Sequence, residues 1–257
     1  MWSSLIRKAS WRLTDFARFR ERPSEPGGSA DVLARSAPSV HLSVTAQITA
    51  VLNVGTNMNE LRWRGTAAGE FPLIASVQEH GMLDAALESD VSRINLLVGD
   101  INSLARMVAR IHDASKTAHV HLELVGGISR DGAAVQFLAE HVGVDGVITT
   151  KSAAVAAARK LGIASVQRFF AVDTHAVENA MRQVHASRPT EVEVMPGLMP
   201  RVIRDLRASI QQPLIVGGLI RNPEEIDAVL NCGADYVSTG NPALWRRRRS
   251  RIHNRVA

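Results

Sequence analysis

A parallel (β/α)₈ barrel is the fold class this sequence predicts, and three observations predict it. From Phe71 onward, eight short apolar runs recur at a regular beat. Segments with helical periodicity separate them, and strict strand–helix alternation demands parallel strands. The units are nearly equal, which favours a sheet closed on itself over an open doubly wound sheet. Eight units occupy about 175 residues, fewer than the ~250 usual for such barrels, so the helices must be short.

The runs, in order, are FPLIASV (71–77), RINLLVG (93–99), HVHLELV (119–125), GVITT (146–150), SVQRFFA (165–171), EVEVMPG (191–197), LIVGGLI (214–220) and YVSTGN (236–241). The helical segments between them include MLDAALESD, INSLARMVARIHDASK, GAAVQFLAEHVG, AAVAAARKLG, HAVENAMRQVHASR, PRVIRDLRASI and PEEIDAVLNCG. Two helix starts are punctuated. In RNPEE, Asn222 is placed to cap, Pro223 to fill the first turn and Glu225 to complete a capping box. In GNPALW, Asn241 and Pro242 repeat the device, so a helix is expected after strand 8 as well. The barrel is assigned to residues 70–250.

Residues 1–69 read differently. RERPSEPGGSADVLARSAPS is rich in Pro, Gly and Ser without an apolar period, and the segment is read as disordered or linker-like. HLSVTAQITAVLNVG alternates weakly and suits a short strand. One expectation is that the working protein begins at Met58 or nearby.

Composition narrows the function classes. Cys232 is the single cysteine among 257 residues, so a disulfide framework is excluded and a reducing, cytoplasmic location is expected. No apolar run reaches the ~18 residues of a membrane span, and the basic N-terminus lacks the apolar core of a signal peptide. No membrane partner is expected. The net charge of +5 sits in one place: after Trp245, the tail (246–257) carries Arg246, Arg247, Arg248, Arg249, Arg251 and Arg255 and no acid. Without those six, 24 bases face 25 acids. Such a cluster suits a phosphate backbone; it equally suits a solvated helix end.

The working face of such a barrel is the carboxyl end of its strands, and a phosphate often sits beyond strands 7 and 8. Gly217 and Gly218 end strand 7, and Ser238, Thr239 and Gly240 end strand 8. Glycines admit anionic oxygens to backbone N–H groups, hydroxyls add donors, and a following helix N-terminus adds positive potential. The other reading of the glycines is a tight turn and close packing. Elsewhere on this face, Lys151 and Arg168 are suited to neutralise an anion, and Glu123 and Glu193 to accept from hydroxyls. The alternatives are an internal salt bridge for the two glutamates and plain helix capping for Asp173. His119, His121 and Glu123 form an H-x-H-x-E row on one strand face. His119 starts that strand, at the wrong end for a site, so no metal is assigned. The ligand this chemistry implies is small, with one phosphate and one or more hydroxyls, and no cofactor.

HVHLELVGGISRD, GVITTKS, VQRFFAVDTHAVENA, EVEVMPGLMPRVI, PLIVGGLIRNPEEI and VSTGNPALW together resemble the glycerol-3-phosphate-responsive antiterminator family, across residues 70–246. The resemblance implies a (β/α)₈ barrel that binds glycerol 3-phosphate. It also implies that the liganded protein binds the leader of an mRNA from glycerol-utilisation genes and prevents premature termination. Carried over, Gly217, Gly218, Ser238 and Thr239 hold the phosphate, and Glu123, Lys151, Arg168 and Glu193 line the rest of the pocket. RNA then meets Trp245 and Arg246, Arg247, Arg248 and Arg249. The four-arginine run and the N-terminal extension depart from the family's pattern. They leave open an RNA leader, DNA or another partner, and whether the working unit is a homo-oligomer. The competing class is an enzyme acting on a phosphorylated glycerol or sugar. It would be metal-dependent through Glu123, Asp173 and Glu193, or lysine-dependent through Lys151.

Overall fold

The computed structural model describes residues 71–247; the readings for residues 1–69, for Arg248 and Arg249 and for the rest of the tail lie outside them. Eight parallel strands pair in chain order and close into one barrel. They are β1 (Leu73–Val77), β2 (Arg93–Leu96), β3 (Thr117–His121), β4 (Gly146–Thr149), β5 (Ala164–Phe170), β6 (Glu191–Met195), β7 (Leu214–Gly217) and β8 (Tyr236–Thr239). Closure runs through β1 and β8, from Leu73↔Val237 to Ala75↔Thr239.

Seven α-helices follow the first seven strands: α1 (Leu83–Leu87), α2 (Leu104–Asp113), α3 (Gly132–Phe137), α4 (Ser152–Leu161), α5 (Thr174–Ser187), α6 (Pro200–Ser209) and α7 (Pro223–Asn231). They are short, as the compressed unit length requires. Their starts are chemically fixed. Asp131 accepts from the Ala134 amide at 3.0 Å, Asp173 from Ala176 at 2.7 Å and Asn222 from Glu225 at 2.9 Å. Glu225 reaches back to the Arg221 amide at 2.6 Å, one residue before the cap, so the capping box closes one step wide.

The eighth unit corrects the sequence reading. After β8 the chain makes only a 3₁₀ turn, Pro242–Leu244, with Asn241 accepting from the Ala243 amide at 3.1 Å. No α-helix follows β8 among the described residues. Trp245 ends the turn by burying its indole, which donates to the Thr239 carbonyl at 2.9 Å.

Strand alternation divides the buried side chains into two sets. Leu73, Ala75, Val77, Ile94, Leu96, Val192 and Val194 face outward and join the large core beneath the helices. Ile74, Ile148, Val166, Ile215 and Tyr236 face inward and form the apolar part of the lumen. The rest of the lumen is polar. Arg93 Nη1 donates to both Glu191 oxygens, at 2.9 and 2.7 Å, and its guanidinium lies 5.5 Å from the Tyr236 ring centroid. Burial pushes the Glu191 carboxyl up, and Arg93 opposes that shift. Burial, reinforced by the Arg93 charge, holds His119 neutral well below the usual histidine range. No helix among the described residues is long and apolar enough to cross a membrane.

Candidate functional site

A cavity of about 500 Å³ opens at the carboxyl ends of the strands. Its wall is two loops, Gly218–Arg221 after β7 and Gly240–Asn241 after β8; its floor includes Ser76, Arg168 and Ser238. The two glycines that end β7 have different causes. A side chain on Gly217 would collide with Ser238 Oγ and come within 3.1 Å of Glu193 Oε1, so close packing dictates that glycine. Gly218 has φ +78°, and the left-handed turn dictates the second. Leu219 continues the turn at φ +65° while 60 % exposed, a costly conformation for a branched side chain.

Of the residues singled out in the sequence, Arg168, Gly218, Ser238 and Thr239 line this one cavity, and Gly217 adjoins it. Glu193 does not line it. It is fully buried beneath, accepting from Arg168 Nε at 2.7 Å and from Ser238 Oγ at 2.6 Å. Glu193 is therefore a positioning residue, and its bond takes the only proton Ser238 has to donate. Thr239 Oγ1 accepts from the Asn241 amide at 3.2 Å, which leaves its own proton to give. Arg168 Nη2 has no hydrogen-bond partner within the protein.

Glu123 and Lys151 stand apart from the cavity. Glu123 accepts from Thr149 Oγ1 at 2.6 Å and the Thr150 amide at 3.0 Å, and His121 Nδ1 lies 3.2 Å from its second oxygen. Burial pushes this carboxyl up, but the nearby His121 ring and the bonds from Thr149 and Thr150 outweigh it and hold the pKa at about 2. Lys151 is exposed at the start of α4. A Schiff-base lysine needs a desolvated site, which this one lacks. Asp173 is the cap of α5. The three carboxylates of the metal-dependent alternative thus each serve a separate partner, and no group of three His, Cys, Asp or Glu converges among the described residues.

Two further expectations change. Among the described residues no α-helix start follows β8, and the first turn of α7 carries Glu224 and Glu225, which oppose an anion there. The positive charge at the cavity comes instead from Arg168 and Arg221. Trp245 leaves no face for a base to stack on, because its side chain is 0 % exposed. Arg246 and Arg247 belong to the opposite end of the barrel. Arg246 Nη2 stands 3.7 Å from Glu88, the Arg247 amide donates to Asp90 at 2.7 Å, and the Arg247 guanidinium lies 5.5 Å from the Phe71 ring centroid. Glu88 and Asp90 precede β2, and Phe71 precedes β1.

Sequence reasoning missed Ser76, Gln78 and Arg221 as cavity residues. For Ser76 a signal existed: it is the one polar residue in LIASV.

Fold and cavity define a class: a parallel (β/α)₈ barrel with a cavity that carries arginine and hydroxyl groups at the carboxyl ends of its strands. Within that class the chain belongs to the glycerol-3-phosphate responsive antiterminator family, whose model matches residues 73–245. YgcP of Escherichia coli (strain K12), an uncharacterized protein, is 36 % identical over 174 residues, which cover 68 % of this chain and 91 % of that one. The glycerol uptake operon antiterminator regulatory protein of Listeria monocytogenes str. 4b F2365 superposes with TM-score 0.66 at 27 % identity, covering 68 % of this chain and 98 % of that one. For a glycerol uptake operon antiterminator-related protein of Thermotoga maritima MSB8 the values are 0.61 and 30 %, over 67 % and 96 %. Barrel enzymes at 15 % identity or less share the fold alone.

Proposed function

We propose that this chain is a cytoplasmic transcription antiterminator that senses glycerol 3-phosphate and, when liganded, binds the leader RNA of glycerol-utilisation genes. The observation that carries the reading is the convergence of the β7 and β8 loops on one cavity with Arg168 at its floor. The phosphate takes main-chain amides of the Gly217–Ile220 and Thr239–Gly240 turns and the Thr239 hydroxyl. Arg168 and Arg221 balance its charge. A site with charge complementarity and no nucleophile–base pair suits sensing without reaction.

The RNA contact belongs away from the mouth. The large apolar side chains exposed among the described residues, Ile101, Leu124, Phe170, Val172, Leu198 and Leu219, all lie at the carboxyl ends of strands or in the loops that follow them. Arg246 and Arg247 lead into the basic tail from the other end. The ligand must then favour the RNA-competent state, because equal affinity for both states shifts nothing.

Calorimetry and gel retardation test the reading together. Glycerol 3-phosphate gives binding heat and glycerol gives none. RNA affinity rises with glycerol 3-phosphate and falls steeply with salt. Retardation that is the same with and without the ligand sinks the proposal.

A further inference from the structure

Ser76 on β1 and Asn95 on β2 are register partners in the parallel pair. Both point into the lumen, since their neighbours Ala75, Val77, Ile94 and Leu96 belong to the outer core. Ser76 is 4 % exposed and Asn95 0 %. Neither the Ser76 hydroxyl nor the oxygen and nitrogen of the Asn95 amide has a hydrogen-bond partner within the protein. Polar atoms buried in this way are costly, and an apolar residue of similar size would stabilise the barrel better. Ile74, on the same strand and face, is such a residue.

The two side chains have a direction in common. Ser76 lines the cavity, as does Arg168 on β5, whose Nη2 is also unpartnered. Ser76 and Arg168 therefore bring unpartnered groups to the floor of the cavity, away from the β7 and β8 loops that form its wall; Asn95 does not line the cavity and stands beside Ser76 in the lumen beneath it.

We infer that Ser76 and Asn95 form a hydroxyl-reading subsite, which receives the polyol end of a small phosphorylated polyol. The inference rests on the phosphate position proposed above. The donor and acceptor inventory fits that class. An amide brings two donors and a carbonyl acceptor, and a serine hydroxyl brings one donor and two lone pairs. Adjacent alcohol groups, each donating and accepting, match this pair. A carboxylate, which only accepts, leaves the Asn95 carbonyl unpaired and brings a second charge into the barrel. A methyl group leaves both residues unpaired. The subsite therefore discriminates by hydroxyls, and the phosphate loops supply affinity common to all phosphate esters.

Calorimetry on the full chain, with glycerol 3-phosphate, n-propyl phosphate and inorganic phosphate, separates the two parts. The wild-type chain is expected to prefer glycerol 3-phosphate over n-propyl phosphate by about tenfold or more. In Asn95→Leu that preference falls to within about threefold, n-propyl phosphate binding stays within about twofold, and the ligand-free melting temperature does not fall. Ser76→Ala, a smaller change, is expected to lose about fivefold of the preference, and it carries the test alone if Asn95→Leu does not fold. Preference retained in the folded variants overturns the inference and leaves the phosphate site standing. A wild-type chain that binds all three phosphates equally does the same. A wild-type chain that binds none of them overturns the proposed function itself.

Discussion

The ends of β7 and β8 and the ends of β3 and β4 carry similar residues, yet they behave differently. Beyond β7 and β8, small residues and hydroxyls leave space, and Arg168 Nη2 at the cavity has no hydrogen-bond partner. Beyond β3 and β4, Glu123 spends one oxygen on Thr149 and Thr150, its second oxygen stands 3.2 Å from His121 Nδ1 outside the cavity, and Lys151 turns to solvent. A charged residue at a strand end is therefore a weak sign of a site. A buried polar group with incomplete bonds that also lines open space, as Ser76 and Arg168 do, is a stronger one.

Three substitutions break or sharpen this contrast. Glu193→Ala has the largest expected effect. It strips the partner from a buried guanidinium and from Ser238, and should cost about 3–5 kcal/mol in urea unfolding. A loss under ~1 kcal/mol would mean that Arg168 has another way to be satisfied. Next comes Glu123→Gln, read through pH. The folded carboxyl sits at about 2, below its ordinary 4.5, so its contribution is complete above about 4.5 and drains away as pH falls toward 2. Over that window the wild-type chain should lose more stability than Glu123→Gln does in parallel denaturation curves, with glycerol 3-phosphate binding alike at neutral pH. Lys151→Ala should do least: within ~0.5 kcal/mol in stability and about twofold in ligand affinity. A tenfold loss of affinity there would show that the site extends across the mouth to β4.

Much of the fold was legible because its signals are local. The alternation of runs, the Asn222–Pro223 start and the Gly218 turn each depend on a few neighbouring residues. Asn241–Pro242 shows the limit. It carries the same signal as Asn222–Pro223, but the residues after it behave differently: Trp245 buries itself and ends the turn, and no sequence period announces that. Its place before four arginines reads as a solvent-facing tail. The site was legible in part for a related reason. Glycines beside hydroxyls at strand ends are visible in the sequence, whereas the lumen-facing parity of Ser76 and Asn95 is set only when the barrel closes. For Glu193 the internal salt bridge was the alternative reading, and the closed barrel realises it with Arg168; the bond from Ser238 had no sequence signal.

Trp245 also ties the end of the barrel to its beginning. Its indole hangs from the Thr239 carbonyl, and its own carbonyl takes the Asp90 amide at 3.0 Å. One residue, through its side chain and its carbonyl, thus rivets the seam between the last strand and the first helix–strand corner. Removing Arg247 takes away a second bond to Asp90 and a cation resting on the Phe71 ring. Removing Trp245 as well takes away masonry.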